Sequence, residues 1–499
     1  MPPPRLSASL LALLLGLPCF TQEPLPRFET RWTAEAWQLP AQGERKMGVL
    51  GLQVDRRWQS GAYAGFGGWG SLTGERGGFI TMGIGGGWRL PLTEHLGVDA
   101  GIWVGGGGVG RASVGGGLMV RGQAGLSWET PNATWNLAWS RVRFPNGAID
   151  SSQLGLTAAF PFRLAVWSAQ PPPSLALPDL GHFRDVAILL TSQRYQPTGS
   201  VQALGGGPDR NPLDLGGMEV RLGLGTRAFV SLDASAAARG KADGYMDMFL
   251  GLGCGLDLVD SGWLRGVAKV MAGAAGGGNL DVGGGAAIKA SLGLDAVLGR
   301  NGLVSVSAGY ITAPSASFKA RVLQVQAGRR FSFATPSGST APAGWTWSWT
   351  GWSFRPSFLR MAAPQRRGGA EALPIELVGL HFSYELGSGF ESVGQGNFAT
   401  AGKAGGFAQG LLGLAWRSPA LLGTGPCLRL QTMVGEAGGG GVETSGGFLL
   451  QSTAGLEQEL GGGWSLQALG GRTRAPNGKL NTSLLEVGLA WRFKALTLH

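Results

Sequence analysis

The chain is poor in the residue types from which most enzymes and metal proteins are built. It has three cysteines and four histidines in 499 residues. Cys19 lies in an apolar N-terminal segment, while Cys254 and Cys427 stand far apart in dissimilar contexts. That pattern excludes a disulfide framework and a CxxC metal site. His95, His182, His381 and His499 are scattered, and none neighbours another histidine or a repeated Ser or Asp. No nucleophile–base pair of a hydrolase and no metal-ligand spacing follows from them, so the sequence points to a protein without catalytic activity, cofactor or metal. Charge is also scarce, at 14% of residues with a net +10 spread thinly along the chain. Without a basic block or a basic stripe interleaved with aromatics, nucleic acid is not an expected partner. Beyond residue 21 no stretch is continuously apolar over the ~20 residues that a helix needs to cross a bilayer. Any membrane insertion by the rest of the chain must therefore use strands.

What is abundant is glycine, 90 residues, in a chain that is 43% hydrophobic. That is too apolar for disorder and too poor in charge for an ordinary water-facing surface. The N-terminus has one positive charge, Arg5, followed by the apolar core Leu6 to Cys19. This is a signal peptide over residues 1–21, with cleavage near Thr21, and it predicts export.

From about Glu29 the chain falls into period-two segments of roughly ten residues, the length of membrane-spanning strands. Leu96, Val98, Ala100, Ile102 and Val104 alternate with Gly97, Asp99, Gly101, Trp103 and Gly105. Met246 to Leu256 alternates with Asp247 to Asp257 in the same way, and Ala286 to Leu294 opposes a face bearing Lys289 and Asp295. A soluble sandwich also alternates. Here, however, the non-apolar face is Gly, Ser and Ala rather than Lys and Glu. Trp32, Trp58, Trp88, Trp128 and Trp167 gather at segment ends, and Trp345, Trp347 and Trp349 share one face, as an interfacial aromatic girdle would place them.

The sequence repeats itself three times. Val114-GGGLMVRGQAG-Leu126 matches Val282-GGGAAIKASLG-Leu294 and Thr444-SGGFLLQSTAG-Leu456 without a gap, with Arg121, Lys289 and Gln451 at one position. The turn segments Arg141 to Gly147, Tyr310 to Ala316 and Arg472 to Gly478 precede a last strand that ends on Phe162, Phe331 and Phe493. The final one, Glu486-Val-Gly-Leu-Ala-Trp-Arg-Phe493, resembles the terminal-strand signal of the outer-membrane β-barrel superfamily of two-membrane bacteria, although Lys494 to His499 runs past the usual terminal aromatic. The resemblance implies an all-β, closed, antiparallel up-and-down barrel in the outer membrane. It further implies contact with outer-membrane lipid and delivery by the barrel-assembly machinery through the strand ending at Phe493.

The first repeat divides into about eight strands, so the chain should have about 24. They are expected as a first repeat over 22–167, a Pro-rich linker over 168–184, a second repeat over 185–333, a linker over 334–344 and a third repeat over 345–499. Three tandem eight-stranded barrels are favoured over one 24-stranded barrel, because the linkers exceed the internal turns and no plug domain exists for a wide lumen. The glycine runs Gly105 to Gly108, Gly276 to Gly278 and Gly438 to Gly441 read as flexible hairpin turns. They are not phosphate loops, since they are not followed by helices. Asp99, Arg121, Asp247, Lys269, Lys289 and Asp295 are the lumen-facing candidates, lining a pore or pairing across a closed interior. The expected function is a non-catalytic barrel with a structural or surface role or a narrow conduit. The alternatives are one wide channel for polar solutes or a secreted polymer and, as a minor reading, a lipid hydrolase acting at the rim.

Overall fold

The computed structural model describes residues 26–499 other than 41–42, 169–181, 200, 205, 209–210, 243, 337 and 424. The expected signal peptide and most of the first linker lie outside the described residues. Those described form 26 strands, and no helix among them is long and apolar enough to cross a membrane. The first set is β1 (Arg27–Trp37), β2 (Met47–Arg57), β3 (Ala62–Thr73), β4 (Ile80–Pro91), β5 (Leu96–Gly108), β6 (Met119–Glu129), β7 (Thr134–Arg143) and β8 (Asp150–Arg163), followed by the short β9 (Val166–Ser168). The second is β10 (His182–Pro197), β11 (Leu213–Gly223), β12 (Ala228–Arg239), β13 (Met246–Asp257), β14 (Leu264–Gly276), β15 (Ala286–Leu298), β16 (Gly302–Thr312) and β17 (Lys319–Ala334), followed by the short β18 (Ser339–Thr340). The third is β19 (Trp347–Met361), β20 (Ile375–Gly387), β21 (Phe390–Ala401), β22 (Ala408–Ala420), β23 (Cys427–Gly438), β24 (Phe448–Gly461), β25 (Trp464–Arg474) and β26 (Asn481–Leu498).

Alternation in sequence becomes alternation in burial. In β7, Thr134, Asn136, Ala138, Ser140 and Val142 are buried while Trp135, Leu137, Trp139, Arg141 and Arg143 are exposed, because successive side chains leave a strand on opposite faces. Within each set neighbours pair antiparallel in chain order, an up-and-down arrangement. β8 returns to β1, from Arg27↔Arg163 to Ala34↔Leu156, closing a barrel. β10 pairs both β11 and β17, the latter from Phe183↔Ala334 to Pro197↔Ala320. β19 likewise pairs β20 and, from Trp347↔Leu498 to Met361↔Leu484, β26. At the end holding the short turns, which also carries Arg27 and His499 (the turn end), the sets are stitched together. There β26 pairs β9 at Ala495↔Val166 and β17 at Phe333↔Thr497.

Several boundaries differ from the sequence reading. β6 starts at Met119 rather than near 115, because Gly115 and Gly117 adopt positive φ and the Gly117 N–H closes a turn on Val114 O at 3.0 Å. β10 starts at His182, three residues before the expected second repeat, and β18 lies inside the expected second linker. Trp345 precedes β19, and Trp347 and Trp349 pack, partly buried, against Ala165, Ala334 and Leu496 where the sets meet. Lys494 to Leu498, which overruns the terminal-strand signal, is strand paired to β19, β17 and β9.

The opposite, long-loop end is filled from within. The loops fold apolar side chains back into the strand sets: Phe79, Val114, Phe144 and Ile149 join Trp37, Trp69 and Trp103 in the first. Tyr245, Leu280 and Phe318 do the same in the second, and Phe407, Val442 and Leu480 in the third. The three loops before the last strands share one bonding pattern, Phe144 N–H to Ile149 O, Ala313 N–H to Phe318 O and Ala475 N–H to Leu480 O, each at 2.9 Å.

The glycine runs do more than turn the chain. A Cβ on Gly106 would stand 2.7 Å from the carbonyl oxygens of Phe398 and Ala399 in β21. One on Gly276 would meet Gly78 N at 2.4 Å, and one on Gly244 would meet Gly439 N at 2.9 Å. The fifth strand of the first set thus abuts the third strand of the third set; that of the second abuts the β3–β4 loop, and that of the third the β12–β13 loop. This is a cyclic, threefold-like arrangement, and Ile80, Met82, Met246, Met248, Phe398 and Ala408 from all three sets pack together within it.

Candidate functional site

Behind the apolar fill of the loop end the inward faces carry buried charge, which is stable only when paired and hydrogen-bonded. In the first barrel Arg31 lies 2.9 Å from Glu29, 3.2 Å from Asp55 and 3.6 Å from Asp99, and Arg89 bridges Glu29 and Asp99 at 3.0 and 3.3 Å. Tyr63 and Gln123 each donate to Asp99 at 2.9 Å. Arg121 pairs with Glu35 and stacks over Trp69 at 4.6 Å.

The second set repeats the plan with other residues. Glu219 takes Arg221 at 2.8 Å and Lys269 at 2.7 Å; Arg221 reaches Asp295 at 2.6 Å and Lys289 reaches Asp233 at 2.7 Å. Asp247 accepts the Tyr195 and Tyr245 hydroxyls at 2.8 and 3.2 Å. In the third, Glu486 meets Arg355 at 2.8 Å and His381 Nε2 at 2.9 Å, Arg429 pairs with Glu391 at 2.7 Å, and Arg492 bridges Glu391 and Glu457 at 2.7 and 2.9 Å.

All six lumen-facing candidates, Asp99, Arg121, Asp247, Lys269, Lys289 and Asp295, are inward and at most 5% exposed. The structure divides them between two networks: Asp99 and Arg121 in the first set, the other four in the second. Sequence reasoning missed Glu29, Arg31, Glu35, Asp55 and Arg89 of the first network, Glu219, Arg221 and Asp233 of the second, and the whole third network. The signal was available in β1, where Glu29, Arg31, Thr33 and Glu35 hold one parity against Trp32 and Ala34. In β19, Arg355 stands among aromatics, and Glu486 belongs to the segment that resembles the terminal-strand signal.

Among the described residues no group of three or more His, Cys, Asp or Glu is placed to hold a metal ion. A cavity of about 190 Å³ lies at the turn-end mouth of the first barrel, lined by Arg27, Arg57, His95 and Glu129 among others. At the loop end, outside the strands, Arg76 donates to Glu44 at 2.6 and 2.9 Å, and these bonds hold its guanidinium above its ordinary pKa. Chemically, most interior carboxylates are paired with interior cations and so cross-link strands, while Asp247 is held by two tyrosine hydroxyls.

No family model matches the sequence, and no curated protein matches it. Among solved structures, a mutant ferric enterobactin receptor of Pseudomonas aeruginosa is 9% identical with a TM-score of 0.28, over 93% of this chain and 81% of the receptor. The siderophore receptor PirA of Acinetobacter baumannii is 9% identical at 0.27, over 95% and 81%, and OpdQ of Pseudomonas aeruginosa is 9% identical at 0.22, over 95% and 97%. Likeness at this level assigns nothing to this chain.

Proposed function

We propose that this chain is an integral outer-membrane protein made of three separate eight-stranded barrels, each closed to solutes, with a structural or surface role and no catalytic activity. The observation that carries membrane insertion is the inversion of the usual surface. Leu154, Leu252, Val270 and Leu292 are at least 63% exposed on outward faces, while Arg31, Lys289 and Glu486 are buried. Apolar surface of that extent promotes aggregation in water and suits hydrocarbon. Three barrels rather than one are supported by the return of β17 to β10 and of β26 to β19, which would have to break to open a single wide ring. The domains in this reading are about 26–167, 182–334 and 346–499, with outer-membrane lipid and the assembly machinery, through the strand ending at Phe493, as partners. Closure is supported by the apolar fill at the loop end and the charge networks behind it, which together weigh against a conduit and against one wide transport channel.

The test is single-channel recording of the refolded mature chain in planar bilayers, with projection imaging of the same sample. Three small densities with negligible current are expected. One wide ring with a large stable conductance overturns the reading in favour of a transporter.

A further inference from the structure

Each barrel carries a pair of outward-facing cations at its loop end. In the first and third barrels they are Arg141 with Arg143 and Arg472 with Arg474, the last outward positions of the seventh strands β7 and β25. In the second barrel the seventh strand β16 has Tyr310 and Thr312 there instead. The cations have moved one strand over: Arg321 is the register partner of Tyr310, and Lys319 that of Thr312. The same two levels of the perimeter are thus charged in all three barrels by different residues, each of them exposed.

These cations top an apolar strip, which in the third barrel is Leu485 and Val487 of β26, the register partners of Gly470 and Ala468 below Arg472. Leu323 and Val325 follow Arg321 on the outward face of β17, exposed by 53% and 48%. At about 3.3 Å per residue, Arg321 stands ~7 Å beyond Leu323. In barrels two and three, none of the four cations forms an ion pair with a described residue; Arg472 donates only to Asn481 Oδ1, at 2.9 Å. In barrel one, Asp150 takes both Arg141 and Arg143, at 2.8 and 3.3 Å, leaving one net charge.

We infer that the Lys319–Arg321 and Arg472–Arg474 pairs are docking sites for an anionic, phosphate-bearing lipid of the leaflet at the loop end. Its headgroup would bridge the two cations while its chains lie along the apolar strip below. The inference rests on membrane insertion as proposed above. Two unneutralised cations a headgroup's width apart, directly above lipid-facing leucines, match the charge and the amphipathic shape of such a lipid, whereas a soluble anion would gain nothing from the strip.

The probe is cardiolipin, which offers two phosphates, titrated against phosphatidylcholine on the refolded chain in neutral vesicles and read by native mass spectrometry after release into detergent. Selective cardiolipin binding is expected. Lys319→Gln with Arg321→Gln, or Arg472→Gln with Arg474→Gln, should each weaken one site roughly thirtyfold, from about fivefold per cation. Arg141→Gln with Arg143→Gln should change binding only about fivefold, since Asp150 already neutralises one charge. Cardiolipin bound no better than phosphatidylcholine by a correctly inserted chain overturns the docking site and leaves the membrane reading intact. Equal displacement by inorganic pyrophosphate assigns the pairs to a soluble anion and overturns the lipid. Failure of the wild-type chain to insert at all overturns both readings.

Discussion

Lys289 shows how a single buried charge is made tolerable. Its ammonium meets Asp233 at 2.7 Å and Gln193 at 3.2 Å and lies 4.8 Å from the centre of the Phe249 ring, so charge, hydrogen bond and ring face all act on one group. Removing one partner leaves the other buried and unpaired, which costs about 3–5 kcal/mol, whereas removing both together is far milder. Lys289→Met is therefore expected to lower stability by about that amount in urea unfolding of the vesicle-inserted chain, and the double variant with Asp233→Leu to recover more than half of the loss. A single-variant loss below about 1 kcal/mol, the worth of an exposed pair, would mean that water reaches Asp233 and that the interior is not closed.

At the scale of the strand, the glycines of β5 matter for what they admit. Gly106 has an ordinary backbone conformation and faces away from its own barrel, so its lack of a Cβ serves the approach of β21. Gly106→Val should leave each barrel folded and prise the first and third apart. A cysteine pair at Phe66 and Phe354, whose rings lie 4.9 Å apart across that seam, bridged by a short bis-maleimide, reports the change in a Cys254→Ser, Cys427→Ser background. The cross-link should form readily with Gly106 and fail with valine. Gly122→Val, on β6 where nothing lies within 4 Å, should leave it unaffected. Loss of the cross-link in both variants would point to misfolding instead of a seam.

For the whole molecule, the six residues after Phe493 hold the sets together. Lys494 to Leu498 pairs at once with β19, β17 and β9, while the register from Trp352↔Phe493 to Met361↔Leu484 closes the third barrel without them. Deleting Lys494–His499 should therefore preserve insertion and strand content but split unfolding into more than one transition, where the full chain is expected to unfold in one. A single unchanged transition would show that the glycine seams alone couple the barrels.

Strand, face and repeat were legible because they are local. Period two in β13 and β15 states which side chains share a face, and the gap-free match of Val114–Leu126 with its two copies states that the pattern recurs. Asp99 and Lys289 could be picked as inward from parity alone. Their partners could not, since Arg31 and Asp99 are 68 residues apart in sequence, and only the register of eight strands brings them within 3.6 Å. The glycine runs were seen but read as turns, because nothing within one repeat reveals that another repeat will press against it. The sequence by itself determined an alternating, thrice-repeated β-chain, since burial on one face of a strand follows from period. Only the tertiary structure decided which strands close on which, which charges neutralise one another and which loops stop the interior, because each depends on contacts between residues that the chain order keeps far apart.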